Sequence, residues 1–278
     1  MANATERDAR RANWQARGAS WNRTAPAGLS TADAHNRRLI AAAGIANGMT
    51  VLDCATGAGE PLISVAVAVG ASGRVIGTDL VLEMMAGARR RAATLALGNV
   101  AFAVGSMDAL PFAGGRFDAL TCRFGLMFLP DPVAAASEMR RVLRPGARVA
   151  VMVHGPAAHN TMFETVRAAV LGFFGEPDSG RTAERYRFAA EGSAASVLEA
   201  AGFAAVGEES FDETTMAKAD DPFWRPSLMR SWAQRADRLD PARRRALEAA
   251  VAAAFEPYRQ GREIAIRSHV RLAAAHAP

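Results

Sequence analysis

The chain has 278 residues, of which half are hydrophobic, and its formal net charge is +5. This length can bury a sizeable core, and two cysteines (Cys54 and Cys122) are too few for a disulfide-stapled fold. No apolar run reaches the roughly 18 residues that a membrane-spanning helix needs, and the charged N-terminus lacks the apolar segment of a secretion signal. We therefore expect a cytoplasmic protein built on one main domain with elaborations.

The basic balance makes a nucleic-acid partner one hypothesis. All the basic residues except Lys218 are arginines, they are spread along the chain, and many lie beside acidic residues. Few aromatic residues are interleaved with them, whereas single-stranded nucleic-acid surfaces combine both. We expect solvated helix faces and no nucleic-acid partner.

Between residues 49 and 153 the hydrophobic pattern alternates between short buried strands and helices. It predicts strands at 50–54, 74–79, 100–104, 117–122 and 148–153, and helices at 60–69, 81–97 and 132–143. Buried strands separated by helices are typical of a parallel sheet that is covered on both faces. Farther along, the pattern predicts helices near 160–174 and 192–201 and a helix pair within 223–258, with strands at 203–211 and 264–273.

This pattern divides the chain into an N-terminal helical cap over 1–34 and an α/β domain over 35–278. The α/β domain has its core at 35–154 and its last strand at about 264–275. Two segments that break the strand–helix rhythm are predicted to be lid or substrate insertions, at about 155–190 and 212–262.

Chemically informative segments follow the carboxyl ends of the first two strands, at the edge where open α/β sheets bind ligands. Residues 53–59 contain Gly57 and Gly59, which let the backbone approach a ligand closely. Asp79 ends the second strand, where a carboxylate can accept hydrogen bonds from both hydroxyls of a ribose. Each feature has a purely structural alternative, a tight turn for the glycines and a helix cap for Asp79.

Two further segments follow the third and fourth strands. Asp108 is suited to accept a hydrogen bond from an adenine amino group while Met107 packs on the ring, although Asp108 is also suited to cap a helix. Residues 122–125 are expected to lie where the chain passes beneath a ligand. Together, the four segments predict a nucleoside pocket.

The same residues favour S-adenosylmethionine (SAM) over NAD. The dinucleotide motif requires a third small residue three positions after its second glycine, and Leu62 stands there. Asp53 also precedes the loop, where it repels a pyrophosphate. SAM carries no phosphate, so this acid can orient the loop or bind the ammonium group of the methionine moiety through water.

Five stretches resemble the class I SAM-dependent methyltransferases, in particular the ubiquinone/menaquinone biosynthesis C-methyltransferases: residues 51–61, 75–80, 107–112, 117–132 and 138–146. The resemblance implies a Rossmann-like, doubly wound, mostly parallel seven-stranded sheet with an antiparallel last strand. It further implies methyl transfer from SAM to an O, N, C or S atom of a small molecule such as a quinol, a phenol or a specialised metabolite, with S-adenosylhomocysteine (SAH) as product. Ala55 replaces the family's first glycine, and His154 stands where relatives often carry an aromatic residue.

These arguments define the candidate site residues. Those predicted to contact the cofactor are Asp53, Ala55, Thr56, Gly57, Gly59, Asp79, Leu80, Met84, Met107, Asp108, Arg123 and Phe124. Those predicted to line the acceptor pocket are Trp21, His154, Phe223 and Trp224, with ordinary core packing as the alternative for the aromatic residues. His154 is the candidate general base, with a structural role as its alternative. The spacing of His, Cys and Asp predicts no metal site.

Three other functions stay open. The first is an RNA or protein methyltransferase, which is disfavoured because residues 123–126 lack the Asn/Asp-Pro-Pro-aromatic tetrad of amino-group nucleic-acid enzymes. The second is other SAM chemistry, such as an intramolecular cyclisation. The third is a SAM-binding module without activity. The sequence leaves open whether the chain is a monomer or a homodimer.

Overall fold

A computed structural model of the chain describes residues 4–24, 33–177 and 183–278. Its helices are α1 (Ala4–Arg23), α2 (Ala34–Ala42), α3 (Leu62–Val69), α4 (Ala86–Thr94), α5 (Pro132–Val142), α6 (Thr161–Phe174), α7 (Ser193–Ala200), α8 (Arg225–Ala236) and α9 (Pro241–Ala254). Its strands are β1 (Thr50–Cys54), β2 (Arg74–Asp79), β3 (Val100–Val104), β4 (Phe117–Arg123), β5 (Leu143–His154), β6 (Ala204–Lys218), β7 (Arg259–Gln260) and β8 (Glu263–His276).

The strands form one mostly parallel sheet in the order β3-β2-β1-β4-β5-β8-β6, and the short β7 pairs with β8. Strands β1 to β5 are parallel to their neighbours. Along β5 and β8, Gly146 bonds to Ala277 while Gly155 bonds to His269. Because residue numbers rise on one strand as they fall on the other, β8 is antiparallel to β5. The predicted α/β class and the antiparallel last strand are confirmed.

The register brings the carboxyl ends of β1, β2 and β4 together. Asp53 on β1 lies beside Gly77 on β2 and beside Thr121 on β4. Val51, Leu52 and Cys54 on β1 are fully buried, which explains the continuous apolar pattern of this central strand. The polar residues that follow these strands are therefore neighbours in space.

Strands β1, β2 and β3 have the predicted limits, whereas β5 begins at Leu143 rather than at 148. Residues 144–146, which the predicted helix 132–143 and strand 148–153 leave between them, lie inside β5, where Gly146 has a φ of +79° and its N–H donates to the carbonyl of Ala277 at 2.8 Å. Pairing with the C-terminal segment thus keeps this glycine in the strand. Strand β6 likewise extends to Lys218, beyond the predicted 203–211.

Helix ends follow the local sequence. Asp131 caps α5 by accepting the N–H of Ala134 at 2.9 Å, and Asp240 caps α9 before Pro241. Helix α3 begins at Leu62 rather than at the predicted residue 60. The predicted helix over 81–97 divides into a 3-10 helix, Leu82–Met85, and α4.

The chain forms two compact units. The first comprises Met1–Val153, Glu191–Glu209 and Arg271–Pro278, and it contains β1 to β4 and most of β5. The second comprises His154–Ala190 and Ser210–Val270. Residues 1–3 and 25–32 of the predicted cap, and residues 178–182 of the first predicted insertion, lie outside the described residues.

The second unit has its own hydrophobic core. Helices α6, α8 and α9 bury a cluster with Ile264 of β8, and its members are Val166, Val170, Leu171, Trp224, Leu228, Trp232, Ala236, Leu247, Val251 and Phe255. Among the described residues, no helix combines the length and apolar character needed to cross a bilayer.

Candidate functional site

The loop after β1 has the backbone shape that its glycines predict. Gly57 and Gly59 have φ values of +49° and +101°, a region that glycine enters without penalty. A Cβ on Gly59 would lie 3.1 Å from the Cβ of Ala88 on α4, so the loop also packs tightly against that helix. Larger residues at either position would displace the loop.

Ala55, which replaces the family's first glycine, also adopts a left-handed conformation, with a φ of +54°. This conformation destabilises a non-glycine residue by about 1–2 kcal/mol. The loop therefore adopts a glycine-type backbone shape at Ala55 at the expense of strain, as is typical of functional loops.

Asp53 lies fully buried beneath this loop. Its two carboxylate oxygens accept the hydroxyls of Thr56 at 2.6 Å and Thr121 at 2.7 Å. Burial raises the pKa of Asp53 to about 7, although these two hydrogen bonds act in the opposite direction. Of the two roles predicted for this acid, the arrangement favours orienting the loop.

Asp53 is expected to make stability fall as pH rises from about 4 to 7. The folded protein keeps the Asp53 proton up to about pH 7, whereas the unfolded chain releases it near its ordinary value of 3.8. The native state therefore binds more protons in this window, so stability decreases by up to about 1.4 kcal/mol per pH unit.

Urea unfolding of the wild type and Asp53→Asn across pH 4–7 measures this effect. The difference in free energy of unfolding between the two proteins should shift in favour of the variant as pH rises, because asparagine does not titrate. Other carboxylates contribute equally to both proteins and cancel in the difference. A difference that is independent of pH would show that the Asp53 pKa is not raised.

Asp79 reaches the same loop from the end of β2. Its carboxylate accepts the backbone N–H of Gly57 at 3.0 Å and that of Val81 at 3.2 Å. Burial raises the pKa of Asp79 to about 6, while hydrogen bonds from the backbone lower it in part. The hydrogen bond to Gly57 thus anchors the carboxylate to the glycine loop, which fits the predicted ribose site. The hydrogen bond from Val81 is the local cap that was the structural alternative, so Asp79 fits both roles.

Asp108, the predicted adenine acceptor, contacts the N-terminal helix. Nε of Arg7 lies 3.3 Å from its Oδ2, and Arg10 lies 3.6 Å from its Oδ1. The hydroxyl of Ser106 donates to Asp108 and accepts from Arg10 at 2.8 Å. Burial raises the pKa of Asp108, but the Ser106 hydrogen bond and the two guanidinium groups together bring it below its usual value.

Helix α1 contacts the glycine loop and α4 as well. Nε1 of Trp21 lies 3.0 Å from where a Cβ on Gly57 would be, and Asn22 accepts the N–H of Gly87 at 2.7 Å. Trp21, predicted for the acceptor pocket, therefore lies against the glycine loop. Arg7, Arg10 and Asn22 are not among the residues predicted from the sequence. The N-terminal charge is the signal for the two arginines, and it is equally typical of solvated helix faces.

Residues on β4 and just after β3 and β4 pack beneath the glycine loop. Met107 is 8% exposed, and the Sγ of Cys122 lies 3.6 Å from its Sδ. A Cβ on Gly125 would lie 2.5 Å from the Cβ of Ala55, so the chain just after β4 passes directly against the loop. Burial raises the pKa of Cys122 to about 12, which fits a structural thiol rather than a nucleophile.

Arg123 and Phe124 link β4 to α2. Arg123 donates to Asn36 at 2.6 Å and forms an ion pair with Asp33 at 3.0 Å. Phe124 has a φ of +58° and packs edge-on against His35, with ring centroids 6.0 Å apart. Arg123 is thus held by the first turn of α2, and its predicted cofactor contact remains a prediction.

Three more positions lie on or near β2 in the sequence or the packing. Met84, in the 3-10 helix after β2, is 3% exposed, and Leu80 is partly buried. Leu62, the residue that argued against NAD, packs over Gly77 on β2, and its Cδ1 lies 2.9 Å from where a Cβ on Gly77 would be. At this helix–strand contact the small residue is Gly77 on the strand. In the dinucleotide motif the small residue is the third glycine, which lies on the helix.

The remaining predicted residues belong to the second unit. His154 is 5% exposed, and its ring centroid lies 5.1 Å from that of Phe163 and 6.4 Å from that of Tyr186. Trp224 is 5% exposed within the core of that unit, and Phe223 packs against the same core. Their membership of an acceptor pocket remains a prediction.

The geometry of the first unit suits a nucleoside without a phosphate. Two carboxylates, Asp79 and Asp108, follow neighbouring strands, and a left-handed glycine loop lies against one of them. The buried carboxyl group beneath this loop, Asp53, bonds to Thr56 and Thr121 and offers a pyrophosphate no cationic partner. Carboxylates and a closely approaching backbone can accept ribose hydroxyls and an adenine amino group.

Comparisons with known proteins agree with this geometry. The profile of the ubiE/COQ5 methyltransferase family matches residues 29–218. One relative, the ubiquinone/menaquinone biosynthesis C-methyltransferase UbiE of Cellvibrio japonicus, is 35% identical over 160 residues, which cover 56% of this chain and 64% of the relative. The chain thus spans less than two thirds of the length of the curated relatives that it matches first.

Solved structures share the fold. YcgJ from Bacillus subtilis superposes with a TM-score of 0.55 at 20% identity, covering 87% of this chain and 97% of YcgJ. The [4+2]-cyclase SpnF superposes with a TM-score of 0.54 at 21% identity, covering 88% of this chain and 80% of SpnF. Since the family profile covers more than half of the sequence, the chain belongs to the ubiE/COQ5 methyltransferase family.

Proposed function

We propose that this protein binds SAM at the carboxyl edge of its parallel sheet and transfers the methyl group to a small-molecule acceptor. The observation that carries the proposal is the placement of Asp79 against the left-handed loop at Gly57, with Asp108 after the neighbouring strand. Family membership supports the choice of SAM over other nucleosides.

The donor set fits the cofactor. Asp79 is placed to accept the ribose hydroxyls, and Asp108 to accept the adenine amino group, with Met107 against the ring. Gly57 and Gly59 leave room for close approach of the backbone. Ala55, Thr56, Leu80, Met84, Arg123 and Phe124 are proposed to complete the site around them.

When bound, the sulfonium of SAM supplies an activated methyl group. Little covalent machinery is then required of the protein, whose task is to align the reactants and exclude water. Helix α1 contacts Asp108 through Arg7 and the glycine loop through Trp21. It is therefore the element of the first unit that is suited to exclude water. Catalysis therefore depends on positioning.

For the acceptor we propose an aromatic small molecule such as a quinol or a phenol. UbiE relatives are named for carbon methylation in quinone biosynthesis. Trp21, Phe223 and Trp224 are the aromatic candidates for the acceptor pocket. Both cysteines are free and buried, in keeping with action in the reducing cytoplasm, as a monomer or a homodimer.

His154 is proposed as the general base. If a phenol or quinol oxygen must lose its proton, His154→Gln is expected to lower kcat about 100-fold, within the usual range for general bases. SAH affinity should be unchanged, since no cofactor contact is removed. Steady-state kinetics, with calorimetry as the control, measures both. Unchanged kcat in a folded variant would remove His154 from the mechanism.

Product analysis tests the proposed function. The protein is incubated with SAM and a panel of quinols, phenols, RNA and protein acceptors, and SAH and methylated product are quantified by mass spectrometry. The proposal requires equal amounts of both. A cyclised product without SAH would indicate other SAM chemistry. SAH formation only with RNA or protein acceptors would indicate a macromolecular substrate.

A further inference from the structure

Three side chains of metal-binding type meet in the second unit, although they are far apart in sequence. They are His159 in the short 3-10 helix after β5, Asp212 on β6 and His269 on β8. One possible ligand atom from each lies within 4.8 Å of the other two. Nδ1 of His159 is 3.9 Å from Oδ1 of Asp212, and the two imidazole centroids are 5.6 Å apart.

The backbone around the cluster fixes the position of the His269 ring. Gly155 donates its N–H to the carbonyl of His269 at 3.0 Å, and a Cβ on Gly155 would lie only 2.5 Å from Nδ1 of His269. The ring therefore occupies space that only a glycine at position 155 leaves open. Asn160 holds the same loop by donating to the carbonyl of Pro156 at 2.9 Å.

The geometry is close to that of a bound ion. Tetrahedral zinc sites have metal–ligand bonds of about 2.0–2.2 Å, so ligand atoms lie roughly 3.3–3.5 Å apart. The observed separations, 3.9 Å between His159 and Asp212 and at most 4.8 Å for the other pairs, require a closure of up to about 1.5 Å. His159 and Asp212 can supply it by side-chain rotation, because their side chains are 46% and 54% exposed.

We propose that His159, Asp212 and His269 bind a divalent transition-metal ion of the zinc type. Two imidazoles and one carboxylate favour such ions over magnesium or calcium, which prefer oxygen ligands. Three protein ligands leave at least one position for water or an oxygen of a ligand, as in catalytic zinc sites. The ion also joins three separate segments of the second unit. This proposal does not depend on the proposed function.

Calorimetry with zinc chloride tests the site. Tag-free protein is stripped with a chelator, dialysed and titrated, with magnesium chloride as a comparison. We expect one equivalent of zinc with a micromolar Kd, no binding of magnesium, and a higher Tm with zinc, because an ion bound only by the native state stabilises it. His159→Ala and Asp212→Asn should each weaken zinc binding at least tenfold.

The matched control is His276→Ala, which removes a histidine of the same strand as His269 outside the cluster. It should bind zinc like the wild type. Both His159 and Asp212 have half-exposed side chains, and circular dichroism of the metal-free variants verifies their fold. The absence of stoichiometric zinc binding by the wild type would overturn the proposal. So would equal affinity in the His159→Ala and Asp212→Asn variants.

Discussion

Replacing Asp79 with asparagine is expected to weaken SAH binding about 100-fold, or by about 3 kcal/mol. The carboxylate is proposed to accept two ribose hydroxyls, and it already accepts the N–H of Gly57. Asparagine keeps the size of the side chain but loses the charge and one acceptor oxygen. Calorimetric titration of SAH into both proteins measures the loss.

A matched control is Asp118→Asn, at the opposite end of the sheet. Asp118 accepts the N–H of Thr50 at 2.8 Å and pairs with Arg144, so its substitution leaves the cofactor edge unchanged. Wild-type affinity should also fall below about pH 6, where Asp79 becomes protonated. The Asp79→Asn variant should lack this dependence. If it bound SAH as tightly as the wild type, Asp79 would not hold the ribose.

Gly125→Ala is expected to have the second-largest effect. The added Cβ would lie 2.5 Å from the Cβ of Ala55 and 3.0 Å from Sγ of Cys122. Neither atom is the end of a flexible chain, so the loop or β4 must move. Gly125 has a φ of −105°, which alanine adopts freely. The effect therefore comes from packing alone.

We expect the free energy of unfolding to fall by about 1–3 kcal/mol, as for other overpacked sites, and SAH affinity to fall about tenfold or more because the loop is displaced. Urea unfolding and calorimetry give the two quantities. Gly98→Ala is the control, since no atom lies within 4 Å of the added Cβ, and it should preserve both. Full stability and affinity in Gly125→Ala would contradict the packing of the loop on β4.

The sequence predicts the core of the fold well because its strands are buried on both faces. Strands such as β1 then appear as continuous apolar runs with polar residues at their ends, and their limits follow directly. Prediction was weaker where distant pairing decides the conformation. Gly146 resembles a turn residue locally, but its bond to Ala277 places it in β5.

In the candidate site, too, the residues placed by the parallel sheet were predicted and those placed by distant contacts were not. Asp53 and Asp79 end parallel strands, so the topology alone brings them to one edge. No comparable topological rule predicts the contacts of α1, because the limits of a helix do not determine which strand its side chains, such as Arg7 and Arg10, approach. The cluster of His159, Asp212 and His269 could likewise not be predicted from the sequence, because its members lack the short spacing that is typical of metal sites.

The most direct test of the central claim is a calorimetric titration of SAM, SAH and NAD into the wild-type protein. The proposed nucleoside site, with its buried acid beneath the loop at Gly57, predicts micromolar binding of SAM and SAH and no binding of NAD. Binding of NAD, or no binding of SAM and SAH by folded protein, would contradict the assignment of the site.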